Sequence, residues 1–205
     1  MKQLNRKNLN GIRKMSIIGS GSFLLLSLIF NALIITNAKE FVTIARVLSV
    51  VSMGFAAVTL LSSITNKILL FSGYVGTAAN GCIAVLSLYL AACTRLSFSS
   101  LISQSVVIAN FILIIIVLLY KRIFIKNNVY IESIKKGTHS KYIREDSMFC
   151  LIITTIILSF AKFIDANKNI IELENVLGSI FLIAIAIIGV AFYITILAKY
   201  LYAQN

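Results

Sequence analysis

The apolar residues of this chain lie in long runs, and the polar residues are concentrated in the short segments between those runs. A run of roughly 20 apolar residues is long enough for a helix to cross about 30 Å of hydrocarbon. The fifth run is the shortest, and we expect it to extend into its flanking residues. The predicted spans are Ile17–Thr36, Phe41–Ile64, Ile68–Cys93, Leu101–Tyr120, Met148–Ile164 and Leu177–Leu197.

The same runs distinguish helices from barrel strands. Strands of a membrane barrel alternate apolar and polar residues with period 2, whereas the segment Ile112–Leu119 is apolar throughout. Only 13% of the 205 residues are charged and 59% are hydrophobic, about half the charged share of a soluble domain. The sequence therefore predicts an all-α integral membrane protein. It would be a polytopic bundle of about six transmembrane helices, with residues 1–205 forming one membrane domain.

Two residue types are absent from the chain, proline and tryptophan. Because proline is the usual cause of a kink, its absence predicts plain helices without breaks at the membrane midplane. Tyrosine then has to serve as the interfacial aromatic residue. Tyr120, Tyr193, Tyr200 and Tyr202 lie near the ends of predicted spans.

Basic residues give the bundle a direction. Of the 19 Lys and Arg residues, 14 fall in the N-terminal segment, the second and fourth connections and the C-terminal tail. The positive-inside rule then places both termini in the cytoplasm. The net charge of +12 is explained by this topology and by contact with anionic lipid headgroups, so no nucleic acid is expected as a partner.

The N-terminus leaves one alternative open. A basic stretch, an apolar run and the residues Thr36–Ala38 loosely resemble a secretory signal and its cleavage site. The apolar run is longer than a signal core and no helix breaker precedes the site. We therefore expect the first span to be retained.

The basic connection between the fourth and fifth spans, residues 121–147, is the longest one on the cytoplasmic side. Apolar residues such as Ile123 and Ile134 alternate with lysines in it, up to Gly137. This pattern predicts an extension of the fourth helix or an amphipathic stretch on the membrane surface. The segment is either a solvated linker or a docking surface for a cytoplasmic partner.

The third span carries most of the small and polar residues inside the membrane. Gly73, Thr77 and Gly81 recur at four-residue spacing, with Gly76 and Asn80 beside them. Such a face lets a neighbouring helix approach closely, which indicates helix packing. The alternative is that the face lines a substrate path, with Asn80 as its hydrogen-bonding group. Either interpretation makes the third span the inner helix of the bundle.

Other polar residues inside the spans extend this candidate set. Gln104, Asn110 and Asn31 are candidates to converge on Asn80, although Gln104 and Asn110 are six residues apart and do not share one helix face. Arg46 lies about one turn into the second span, where it snorkels to headgroups, binds an anionic group or pairs with an acidic residue on the outer side. Lys162 has Asp165 three residues later as a candidate partner.

Enzymatic chemistry has little support in these residues. The seven carboxylates lie in loops or at span ends, and one histidine gives no zinc site. No metal, cofactor or Gly-rich phosphate loop is expected. His139 and Cys150 are the one pair with the chemistry of a membrane thiol peptidase. We therefore predict a protein that is not an enzyme.

Two functions of different classes fit this pattern. The first is a permease, or the membrane subunit of a transporter, for a small molecule or peptide. The second is a membrane interaction protein, such as a bacteriocin-immunity, toxin-shielding or regulatory factor. The Ile-, Lys- and Asn-rich composition is typical of an AT-rich bacterial genome, so we expect the spans to lie in a bacterial cytoplasmic membrane. A bundle this small is expected to form a homo-oligomer or to recruit a partner.

Overall fold

The computed structural model describes residues 6–37, 41–65, 69–98, 100–125, 132, 136, 139–165 and 173–204. Within these ranges the regular structure is helical and contains no strand. A π-helical turn, Ser72–Gly76, joins α3 to α4, and a second π-helical turn, Tyr120–Ile125, continues α5. The α-helices are α1 Arg6–Asn37, α2 Val42–Ser62, α3 Leu69–Phe71, α4 Thr77–Thr94, α5 Leu101–Leu119, α6 His139–Ile164 and α7 Leu173–Gln204.

Six of these helical segments are long and apolar enough to cross a membrane, which agrees with the six predicted runs. The fifth extends well beyond its apolar run, as expected, because α6 begins at His139. The last nine residues of the predicted 121–147 connection are therefore helical. The amphipathic pattern up to Gly137 falls mostly on residues outside the described ranges.

The spans alternate in direction, so the bundle has two ends. We call the end where α1 begins the near end and the opposite end the far end. The α4 helix packs against α1, α2 and α7, while α5 packs against α6, and α6 packs against α7. This arrangement leaves α6 and α7 side by side, and we call the line between them the α6–α7 seam.

The third span is the most enclosed of the six. In its most apolar stretch 61% of the residues are buried, against 22% in each of the first two spans. Small residues make this burial possible, because neighbouring helices can approach a face of glycine, alanine and serine closely. The prediction that the third span is the inner helix is confirmed.

The expectation of plain helices is wrong at two places. The first π-helical turn contains Gly73 and Gly76, and the second contains Lys121 and Arg122. A π-helical turn forms when one extra residue is accommodated in a helical turn, and proline is not needed for this. The absence of proline therefore does not exclude π-helical turns. Both turns lie at the near end of the bundle.

Large apolar side chains cover the outside of the bundle. Leu101 and Phe163 are 80% and 84% exposed, and many Ile, Leu, Val and Phe side chains on the other spans are exposed as well. A water-soluble domain rarely exposes so much contiguous apolar surface. The six apolar helices and this surface together suggest a membrane location.

Candidate functional site

The predicted face of the third span is filled by side chains from other helices. A methyl group added at Gly76 would lie 2.6 Å from the hydroxyl oxygen of Thr59 on α2. Added methyl groups at Gly73 and Gly81 would overlap Ile12 on α1 and the ring of Tyr193 on α7. These three glycines therefore bring α1, α2 and α7 against the third span, one helix each.

Asn80 lies at the centre of this packed face. Its Nδ2 donates hydrogen bonds to Ser20 Oγ on α1, at 3.2 Å, and to Thr59 Oγ1 on α2, at 3.4 Å. The Oδ1 atom of Asn80 and the hydroxyl of Thr77 are buried without a hydrogen-bond partner among the described residues. Asn80 thus holds three helices together through weak hydrogen bonds, as polar residues often do between membrane helices.

The other amides predicted to converge on Asn80 form separate groups. Gln104 donates to the carbonyl of Phe98 in the connection at the far end, at 3.4 Å. Asn31 donates to Ser27 Oγ within α1, at 3.3 Å. Arg46 is exposed on α2 and takes part in none of the salt bridges between described residues.

Asn110 on α5 belongs to a hydrogen-bond network that joins α5 to α4 and α6. Its Nδ2 donates to the hydroxyl of Tyr89 on α4, at 2.9 Å, and to Thr154 Oγ1 on α6, at 3.4 Å. The Tyr89 hydroxyl in turn donates to the carbonyl of Val107. This network fixes one face of α6 at the level of Thr154.

The seam between α6 and α7 opens into a cavity from this level to the far end. Its volume is about 440 Å³, which lies in the range of pockets that hold a small ligand. The wall from α6 is a single helix face, because its residues recur at intervals of three and four. The lining residues are Leu96, Phe98, Leu151, Thr154, Thr155, Leu158, Ser159, Lys162, Phe163, Val176, Ile180 and Ile183.

The floor of the cavity is apolar, whereas its side and its far end carry polar groups. Leu158 and Ile183 are buried and form an apolar floor, while Thr155 and Ser159 are exposed at the side of the groove. Both hydroxyls donate to carbonyls of their own helix, at 2.9 and 2.8 Å. Lys162 stands at the far end and supplies the one charged side chain among the lining residues.

Lys162 is held in place by the connection between α4 and α5. Its Nζ donates to the carbonyl of Ser97, at 2.9 Å, and lies 5.8 Å from the centre of the Phe98 ring. Ser97 has φ 49°, a left-handed conformation that is uncommon outside glycine. Both partners of the ammonium are neutral, and Lys162 enters none of the salt bridges between described residues.

Asp165, the candidate partner of Lys162, takes a different role. Its Oδ1 accepts a hydrogen bond from the backbone N–H of Ser100, at 3.3 Å. Ser100 caps the N-terminus of α5 by accepting a hydrogen bond from the backbone N–H of Ser103, at 3.2 Å. Asp165 therefore fixes the start of α5 next to the cavity.

A buried ionic cluster closes the same α6–α7 seam at the near end. The guanidinium of Arg122 donates from Nε and Nη2 to Asp146 Oδ2 on α6, each at 3.2 Å. It also donates to Thr195 Oγ1 on α7, at 2.9 Å, and to the carbonyl of Ala191. Lys121 forms a second ion pair with Asp146. The cluster joins the second π-helical turn to α6 and α7.

The cysteine–histidine pair is separated along one helix. His139 is the first residue of α6 and Cys150 follows eleven residues later. At 1.5 Å per residue their backbones are about 16 Å apart along the axis, too far for a thiol–imidazole hydrogen bond.

Two groups in this region, the polar side of the cavity and the buried ionic cluster, were not among the sites predicted from the sequence. The spacing of Thr155, Ser159 and Lys162 along one helix face was a signal for a polar strip in the fifth span. The pairing of Arg122 with Asp146 had no such signal, because the partners are 24 residues apart across an intervening connection.

No protein-family model matches the chain, and no curated protein or solved structure matches it at the significance required.

Proposed function

We propose that this chain is a non-enzymatic multi-pass membrane protein that takes up a small molecule from the bilayer into the cavity between α6 and α7. The observation that carries the proposal is the cavity itself. It has an apolar floor, and its exposed side is formed by helix faces that would meet lipid. A molecule dissolved in the membrane reaches such a site sideways, without crossing water.

The proposed orientation follows from charge. With 14 of 19 basic residues assigned to one side, the near end faces the cytoplasm and the far end faces the outside. The cavity then lies in the outer half of the membrane. In this proposal the protein works as a permease, or as the membrane subunit of a larger transporter, in the cell membrane.

The packing of the third span supports the choice of the α6–α7 cavity over the Asn80 face. Side chains from α1, α2 and α7 occupy the space next to Gly73, Gly76 and Gly81. A path along that face would require those helices to separate. The α6–α7 cavity requires no such movement to admit a ligand.

A second candidate function rests on the same packing. If the closed Asn80 face never opens, the bundle acts as a membrane interaction protein of the immunity, toxin-shielding or regulatory kind. Such a protein would bind a partner through its exposed apolar helix faces, and it would need no ligand in the cavity.

Photolabelling tests the first proposal. Purified full-length protein is irradiated with a neutral photoactivatable long-chain alcohol, and labelled peptides are mapped by mass spectrometry. We expect labelling to concentrate on residues 151–163 and 176–183, and Ile180→Trp to reduce it several-fold by filling the cavity. Ile185→Trp is the matched control, because Ile185 is 42% exposed on the same helix, close to the 41% of Ile180, and does not line the cavity. Uniform labelling of all six spans, or equal labelling of both variants, would contradict the proposal.

A further inference from the structure

We infer that the cavity between α6 and α7 binds an anionic phospholipid, with its phosphate paired to Lys162 and one acyl chain lying on the apolar floor. The inference rests on the proposed function and names the class of ligand that this cavity takes. It is argued from the charge at the far end, the rigidity of the connection that holds this charge, and the order of polar and apolar groups along the lining.

The charge at the far end of the cavity is not neutralised by a carboxylate among the described residues. Lys162 is half-buried, and its ammonium contacts a carbonyl and an aromatic ring, both of which are neutral. The nearest acid in sequence, Asp165, directs one carboxylate oxygen to the backbone N–H of Ser100. A positive charge held this way attracts an anionic group that enters the same cavity.

The connection between α4 and α5, which contacts Lys162, is itself held in place by hydrogen bonds. Ser97 adopts a left-handed conformation, which costs about 1–3 kcal/mol for a residue other than glycine and persists only where surrounding contacts fix it. Gln104 binds the carbonyl of Phe98, and Asp165 binds the N–H of Ser100. The ammonium is therefore an ordered part of the cavity wall.

The lining has its one charged group at the far end and an apolar strip leading away from it, as a phospholipid has a headgroup and an acyl chain. Lys162 lies less than one turn from Ile164, where α6 ends, which is the depth of the headgroups in the proposed orientation. From Lys162 toward the midplane, Leu158, Leu151 and Ile183 form an apolar strip, and Ser159 and Thr155 lie beside it with their hydroxyls bonded to carbonyls of α6. A headgroup at the far end with its chain directed toward Thr154 matches this order.

The size and access of the cavity favour a lipid over a water-soluble anion. Its volume of about 440 Å³ is lined mainly by apolar side chains, and an inorganic phosphate would leave most of that surface without a partner. Exposed residues on both helices, Phe163 and Ile180, border the cavity on its open side. A lipid already in the bilayer enters from that side with its chain parallel to the helices.

The experiment compares two lipids that differ in headgroup charge alone. The full-length protein is placed in nanodiscs of equal parts phosphatidylglycerol and phosphatidylcholine with identical chains, and the lipids retained after gentle detergent transfer are counted by native mass spectrometry. One basic residue contributes roughly 1 kcal/mol toward an anionic headgroup, so we expect Lys162→Gln to lower the preference for phosphatidylglycerol about five-fold relative to the unchanged protein. Lys162→Arg should retain the preference of the unchanged protein.

Arg46→Gln is the matched control, because Arg46 is a basic residue about one turn from the same end of the bundle and lies outside the cavity. A preference unchanged by Lys162→Gln, or lost equally in Arg46→Gln, would overturn the inference. Selective retention of a free fatty acid in place of phospholipid would overturn it as well.

The two proposals fail in distinguishable ways. If Ile180→Trp lowers retention of both lipids while Lys162→Gln changes nothing, the cavity binds an apolar molecule and the anionic class is wrong. If Ile180→Trp leaves retention of both lipids unchanged, the cavity is not the binding site and the proposed function fails with it. Thermal denaturation of each variant in detergent shows that the compared proteins are folded.

Discussion

The two ends of the α6–α7 seam differ in how the helices are joined and in where the charged groups lie. At the near end, Arg122 bridges the helices through Asp146, Thr195 and the carbonyl of Ala191, and the guanidinium is only 1% exposed. At the far end the helices separate around a cavity of about 440 Å³, and the charged group, Lys162, stays at the edge. A charge buried between helices needs paired groups around it, whereas a charge at a rim does not. The near end therefore fixes the helices, and the far end leaves room for a ligand.

Removing the carboxylate at the near end should give the largest effect. Asp146→Ala leaves Arg122 buried without its ionic partner, which typically costs about 3–5 kcal/mol. We expect a correspondingly lower free energy of unfolding in detergent. The neighbouring variant Glu145→Ala is the control, since Glu145 is exposed and lies 3.9 Å from Lys141, an arrangement worth about 0–1 kcal/mol. Equal losses in the two variants would mean that the cluster does not hold the seam closed.

The glycine face of the third span should respond at an intermediate level. In Gly76→Ala the new methyl group meets Thr59 at 2.6 Å, and overpacking of this kind costs about 1–3 kcal/mol. Gly54→Ala on α2 is the matched control, because a methyl group there has nothing within 4 Å. Alanine is about 1 kcal/mol better than glycine in a helix interior, so this control should be neutral or stabilising. The same unfolding measurement compares both variants, and a Gly76→Ala protein as stable as Gly54→Ala would show that this face is not tightly packed.

The smallest effect is expected within the cavity. Ser159 is exposed and donates to a carbonyl of its own helix, so Ser159→Ala should change stability by less than about 0.5 kcal/mol. Ser179 on α7 is buried, and its hydroxyl is shared between the carbonyl of Asn175 on its own helix, at 2.7 Å, and the carbonyl of Ala92 on α4, at 3.1 Å. We expect Ser179→Ala to cost about 0.5–1.5 kcal/mol, the net value of one buried hydrogen bond, since the carbonyl of Ala92 still accepts from the backbone N–H of Arg95. A loss at Ser159 equal to that at Ser179 would indicate that the cavity is closed in the folded protein.

Much of the fold could be predicted from the chain, because each span carries its own signal. Six apolar runs give six helices, and the spacing of Gly73, Gly76 and Gly81 identifies the third as the inner one. The candidate residues were less predictable. Gln104 and Asn110 are candidates of which at most one can face Asn80, and each bonds elsewhere, since the partner of a buried amide depends on which helices lie beside it.

The sequence by itself determined what each helix is: its length, its apolar surface and the positions where another helix can approach closely. These properties depend on neighbours three or four residues away, so they are encoded locally. Only the tertiary structure decided which helices meet. It paired Arg122 with Asp146 at one end of the α6–α7 seam, and it opened a cavity beside Lys162 at the other. Both depend on contacts between residues distant in sequence, whose geometry is set by the packing of the whole bundle.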